Sequence, residues 1–175
     1  MSRALVTYAT KYGSTREVAQ AIASTLNESG IETDVLHAKD VTDVAPYSAV
    51  IVGGPLYYFH WNRDARHLLS HHHKALAYKP VAVFAVGPME DTEEQFESAR
   101  GQLDKALAKF EWLKPKAVTV FGGKFDPTGL RFPDNNPGMK NMPASDIRDW
   151  DAIREWAAGL PELLGLRIPQ QATTR

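Results

Sequence analysis

The chain has 175 residues, 43% of them hydrophobic, enough for one domain with a sizeable core. A formal net charge of -1 and a pI of about 6.6 provide no broad field for nucleic acid or an anionic membrane. The absence of cysteine excludes disulfides, thiolate metal sites and cysteine nucleophiles, so any redox chemistry requires a bound cofactor. The opening residues MSRALVTYAT are too short an apolar run for a secretory signal. No later stretch approaches the roughly 18 apolar residues of a membrane span. The expectation is a cytoplasmic protein with no membrane span and no nucleic-acid partner, leaving peripheral membrane contact open.

In chain order, Ala4–Tyr8 is a short apolar run that reads as a strand. A helix follows, with Val18, Ala19, Ile22, Ala23 and Leu26 on one face. Ser14 and Glu17 have capping-box spacing at its start, and Gly30 marks its end. Ile31–Leu36 and Ala49–Val52 are the next strands, and His37–Ser48 between them is short for a helical crossover. Ala65, Leu68, Leu69 and His72 share a second helical face. After the strand Val81–Val86 comes a third helix, with Phe96, Ala99, Leu103, Ala106, Leu107 and Phe110, which Thr92 and Gln95 are spaced to cap. Ala117–Phe121 is the fifth strand, and Trp150, Ile153, Ala157 and Leu160 form a last helix that Asp149 can cap. Short buried strands alternating with helices predict a doubly wound α/β domain over residues 1–166. Two segments break the pattern: an irregular loop at about 122–145, holding four of the eleven prolines, and a frayed tail at 167–175.

The stretch TYATKYGSTREVA, from Thr7 to Ala19, leaves a strand and enters a helix through a turn of small and hydroxyl residues. A helix starting at the carboxyl end of a strand presents unpaired N–H groups and a positive dipole end, which suits a phosphate. Gly13 would allow close approach of the backbone, with the hydroxyls of Thr10, Ser14 and Thr15 as donors. Helix capping alone is the competing reading. The spacing fits neither G-x-G-x-x-G nor G-x-x-x-x-G-K-[ST]. It resembles the T-x-T-G-x-T phosphate loop of the flavodoxin family, with Thr10, Gly13 and Thr15 in register and Tyr12 in place of the second threonine. Lys11 either pairs with the phosphate or is solvated.

Two later loops extend the resemblance. After the third strand, Tyr57, Tyr58, Phe59, His60 and Trp61 are consecutive, a surface suited to a planar ligand. After the fourth, Gly87 and Pro88 turn the chain at another strand end. These two loops, GGKFD after the fifth strand, and DIRDWDAIREWA look like flavodoxin-domain proteins near menaquinone-dependent protoporphyrinogen dehydrogenase. The resemblance spans about Ser2 to Leu164 and implies five parallel strands in the order 2-1-3-4-5, helices on both faces, and bound FMN. It implies that Thr10, Lys11, Tyr12, Gly13, Ser14 and Thr15 surround the phosphate. Backbone groups of Pro55, Leu56, Tyr57, Tyr58 and Phe59, and of Gly87, Pro88 and Met89, would meet the ring edge. Trp61, Tyr57 or Tyr58 would cover a ring face.

Adjacent histidines on a helix point in different directions, so His71–His73 do not read as a metal site. His60, in the ring loop, is a candidate proton donor, with a plain surface histidine as the alternative. Asp126, Arg131 and Asp134 are candidates for substrate contact or for solvation of the long loop. The leading functional expectation is an FMN-dependent oxidoreductase passing electrons to or from a quinone-like or porphyrinogen-like substrate. The alternatives are an electron carrier serving a redox partner, and a binding module without flavin. The near-zero net charge weakens the carrier reading.

Overall fold

The computed structural model describes residues 2–169. Its centre is a parallel sheet of β1 (Arg3–Tyr8), β2 (Glu32–His37), β3 (Ala49–Tyr57), β5 (Val81–Val86) and β6 (Ala117–Phe121), in the order β2-β1-β3-β5-β6. Counting only these five, the order is the expected 2-1-3-4-5. Both faces are covered, which is why the central strands read as apolar runs: all six residues of β5 are buried, whereas the edge strand β2, ETDVLH, has none that is fully so. The short strand β4 (His60–Trp61) pairs antiparallel with the end of β3.

One face carries α1 (Ser14–Glu28) and α6 (Trp150–Leu163), whose Ile22, Leu26, Ile153 and Leu160 join Val6, Ile51 and Phe84 in one core. Fully burying an Ile or Leu stabilises by about 1.5–3 kcal/mol, so this stripe holds α1 in place far more firmly than helix propensity does. The helix stops where Gly30 turns left-handed at φ +83°. The N–H of Gly30 then donates to Asn27 O and that of Ile31 to Leu26 O, closing a Schellman motif. The other face carries α2 (Arg63–His71), a short α3 (His73–Leu76) and α4 (Glu93–Leu107), through Ala65, Leu68, Leu69, Leu76 and Leu103. No helix fills the β2–β3 crossover. A single 3₁₀ turn, Ala38–Asp40, and the buried side chains of Val41, Val44 and Tyr47 cover the sheet there instead.

The segment expected to be irregular is closed at its base. β7 (Lys124–Phe125) pairs antiparallel with β8 (Ser145–Asp146), and the short α5 (Pro137–Lys140) lies between them. At the opposite edge of the sheet, the Arg167 N–H donates to Ser2 Oγ at 2.9 Å. The rest of the predicted tail, 170–175, lies outside the described residues.

Gly53 in β3 stands opposite Phe84 in β5, and a Cβ on it would fall 1.9 Å from the Phe84 ring. Replacing it by Ala is therefore expected to lose about 2–3 kcal/mol through overpacking. Gly101, inside α4 with open space around it, is the control. Gly101→Ala should gain about 0.5–1 kcal/mol by restricting the unfolded chain. Urea denaturation of the two variants checks both signs.

Candidate functional site

Parallel pairing brings the carboxyl ends of β1, β3, β5 and β6 to one edge, where a cleft of about 970 Å³ opens. This lies at the upper end of the roughly 300–1,000 Å³ typical of small-molecule sites. The first wall is the turn from β1 to α1. Gly13 has φ +94°, which L-residues rarely adopt, and its N–H donates to Thr10 Oγ1 at 2.8 Å. This closes the turn and leaves α1 with no side-chain cap, so the N–H groups of its first turn lack intrahelical partners. The capping box expected of Ser14 and Glu17 does not form: Gly13 takes the N-cap position, which makes Ser14 the first helical residue, and the Glu17 carboxylate pairs with Arg148. Thr15 is fully buried, and its Oγ1 has no hydrogen-bond partner among the described residues.

The second wall is the aromatic stretch, which forms a two-residue hairpin between β3 and β4. Tyr58 and Phe59 at its tip have φ of 46° and 64°. Such a turn normally takes Asn-Gly. Holding two bulky residues left-handed costs about 1–2 kcal/mol each. Tyr57, Tyr58 and Phe59 line the cleft with Pro55 and Leu56. Trp61 does not, which corrects the expectation that it covers a ring face. Alternation along β4 turns its indole into the core, fully buried, where Nε1 donates to Gly54 O at 3.1 Å. The same alternation turns His60 outward and exposed, away from the cleft lining.

Gly87, Pro88 and Met89 form the third wall. In this wall the two backbone donors expected to meet a ring edge are already engaged, the Gly87 N–H with Phe121 O and the Met89 N–H with Gln95 Oε1, which also accepts from the Glu90 N–H. Gly123, Lys124, Phe125, Asp126, Leu130, Arg131 and Met139 complete the lining from the 122–145 segment. Asp126 itself accepts from the Thr128 N–H and hydroxyl.

Two residues that tie these walls together act at long range. The Arg148 side chain, 4% exposed, pairs with Asp146 and Glu17 and lies 4.7 Å from the Trp150 ring, fastening the 122–145 segment to the first turn of α1. Asp134 is fully buried. It accepts from the Tyr12 hydroxyl at 2.5 Å and pairs with the Lys11 ammonium. The Lys11 ammonium is thus paired within the protein while its side chain stays 41% exposed, and Tyr12 reaches across to the inserted segment. Burial pushes the Asp134 carboxyl up, but the Lys11 and Tyr12 donors, with the Tyr57 hydroxyl nearby and the Lys11 charge, outweigh it, holding the pKa at about 2. Burial and then Asp134 raise the Tyr57 phenol, whose buried hydroxyl has no completed hydrogen bond. Arg148 had no local signal in the sequence, being a basic residue between acids, and Asp134, a candidate there for substrate contact or solvation as a charge in a proline-rich loop, is instead buried against these partners.

Because the folded Asp134 pKa lies below the ordinary aspartate value of 3.8, its stabilisation is present above about pH 4 and is lost as pH falls through 2. Asp134→Asn should remove about 1–2 kcal/mol at pH 6 and flatten the acid limb of the stability profile. Thermal midpoints of both proteins from pH 7 to 2 measure the difference.

Comparison with known proteins agrees with this geometry. Residues 5–136 match the family described as Flavodoxin domain. Protoporphyrinogen IX dehydrogenase [quinone] of Escherichia coli (strain K12) is 25% identical over 134 residues, covering 75% of this chain and 71% of that protein. Its namesake from Leishmania major is 26% identical over 175 residues, covering 92% of this chain and 75% of that protein. Among solved structures, a flavodoxin from the domain Archaea superposes with a TM-score of 0.58 at 13% identity. That superposition covers 93% of this chain and 99% of the other, and shows the shared fold. With its sheet order, its turn from β1 to α1 and this match over most of its length, the chain belongs to the flavodoxin domain family.

Proposed function

We propose that the protein holds FMN in this cleft and passes electrons to or from a quinone-like or porphyrinogen-like substrate. The observation that carries the cofactor reading is the buried Thr15 hydroxyl, unpartnered at the uncapped first turn of α1. A buried polar group without a partner costs about 1–3 kcal/mol, and a phosphate oxygen would satisfy it together with the adjacent N–H groups. Gly13 leaves open space beside the same turn. Bound FMN supplies the electron-transfer chemistry. The chain's own part is to orient it: Thr10 shapes the turn, the first-turn N–H groups take the anion, and Leu56, Tyr57 and Met89 line the rest of the cleft.

The 122–145 segment supports the substrate half of the reading. It extends the cleft with Phe125, Met139, Lys124 and Arg131, apolar surface and two cations next to the flavin loops. Among the described residues neither cation is within ion-pair distance of a carboxylate. Such a wall suits a planar substrate of its own. The similar E. coli protein is named for a quinone. One observation favours the electron-carrier alternative: Glu90, Asp91, Glu93 and Glu94 are all exposed beside the cleft, an edge suited to a basic redox partner.

Purified protein, reconstituted with FMN if needed, should show the flavin bands near about 370 and 450 nm and reduce a soluble quinone under anaerobic conditions. A colourless protein that FMN cannot reconstitute rejects both readings, whereas bound flavin without quinone turnover favours the carrier. Thr15→Ala should weaken FMN by about five- to tenfold, and Gly13→Val by more, since it also strains the backbone. Unchanged affinity in a fluorescence titration of both variants would remove the phosphate assignment.

A further inference from the structure

Asp134 comes from the segment furthest in sequence from the two loops it touches, and its contacts are not those of a residue that only solubilises a loop. Its Oδ2 takes the Tyr12 hydroxyl and the Lys11 ammonium, both from the turn before α1. Its Oδ1 lies 3.4 Å from the Tyr58 hydroxyl, at the tip of the aromatic hairpin. The Lys11 Nζ is 4.6 Å from the centroid of the Tyr57 ring and 5.6 Å from that of Tyr12, so the ammonium sits between loop and hairpin with the carboxylate beside it. Asp134 is presented by a local turn, in which its own N–H and that of Asn135 donate to Arg131 O.

Two physical arguments give this cluster a purpose. A hairpin with Tyr and Phe both left-handed needs its strain outweighed by contacts, and Tyr58 makes one of them with Asp134. A buried carboxylate, conversely, is tolerated only when several donors meet it. The donors come from both walls of the cofactor cleft, so neither wall can move without disturbing the charge.

We propose that Asp134 is a positioning residue which, acting through Lys11, Tyr12 and Tyr58, holds the aromatic hairpin against the phosphate loop so that both close on a bound flavin as one unit. This rests on the FMN reading of the cleft. Lys11 then serves the hairpin rather than the phosphate. Its loss acts on the ring end of the ligand as well as on the phosphate end.

The test uses the full chain loaded with FMN, and separately with riboflavin, which lacks the phosphate. Release into excess competing apoprotein is followed by flavin fluorescence. Asp134→Asn and Lys11→Met should each speed FMN release by about five- to fiftyfold and weaken riboflavin by a similar factor. The bound flavin should also become more fluorescent as tyrosine contact loosens. Tyr12→Phe, which removes a single hydroxyl, should act in the same direction by a smaller factor and serves if Asp134→Asn does not fold. Combined with Asp134→Asn, it should add little, because the two act through one contact. Release within twofold of wild type in Asp134→Asn, or in Tyr12→Phe where that variant stands in, overturns the proposal and leaves the FMN reading intact. Lys11→Met that weakens FMN but not riboflavin also overturns it, since that marks Lys11 as a direct phosphate ligand. A wild-type chain that takes up neither flavin is a different result: it removes the FMN reading itself, and the positioning role with it.

Discussion

Parallel strand pairing is the constraint from which the rest follows. Strands that run the same way end on the same edge, so the turns after β1, β3, β5 and β6 are neighbours although more than a hundred residues separate the first from the last. Helices on both faces occupy the remaining sheet surface, and the open edge is left as the place where irregular backbone gathers. The first turn of α1 has uncapped donors because its N-cap is Gly13, which has no side chain to accept from them. The aromatic hairpin projects because β3 runs on past its parallel partners and folds back as β4.

A second layer of organisation lies in how these loops are held. Arg148 and Asp134 are opposite in sign and alike in design: each side chain is nearly or fully buried, and each ties the chain after β6 to the start of α1, Arg148 at Glu17 in its first turn and Asp134 at the turn before it. Isolated surface pairs contribute little, but charges withdrawn from solvent with several partners fix geometry. Arg148 grips the outside of the turn through Glu17, and Asp134 grips the cleft side through Lys11 and Tyr12. The inserted segment is in this way part of the site's frame rather than an appendage.

Local patterns in the sequence carried much of this architecture. The five apolar runs became the five parallel strands, and the spacing of Thr10, Gly13 and Thr15 lay where the cleft begins. Thr92 and Asp149 cap their helices through the N–H groups of Gln95 and Ala152, because capping is decided within one turn of chain. The misreadings have a common cause. Trp61 looked like its aromatic neighbours until pairing with β3 set which side of the strand it faces, and Glu17 looked like a capping partner, although α1 begins at Ser14 itself and its carboxylate goes to the distant Arg148. Asp134 meets Tyr12 across 122 positions, a distance over which composition and spacing carry no information.

The contact between Arg167 and Ser2 has a consequence of another kind. It sets the two ends of the described chain side by side at the amino edge of the sheet, on the far side from the cleft. A domain whose ends lie together and away from its working surface can be spliced into a longer polypeptide, or rejoined end to end and reopened elsewhere, with little disturbance to what it binds. Modularity of this sort is a property of topology, independent of which ligand the opposite edge receives.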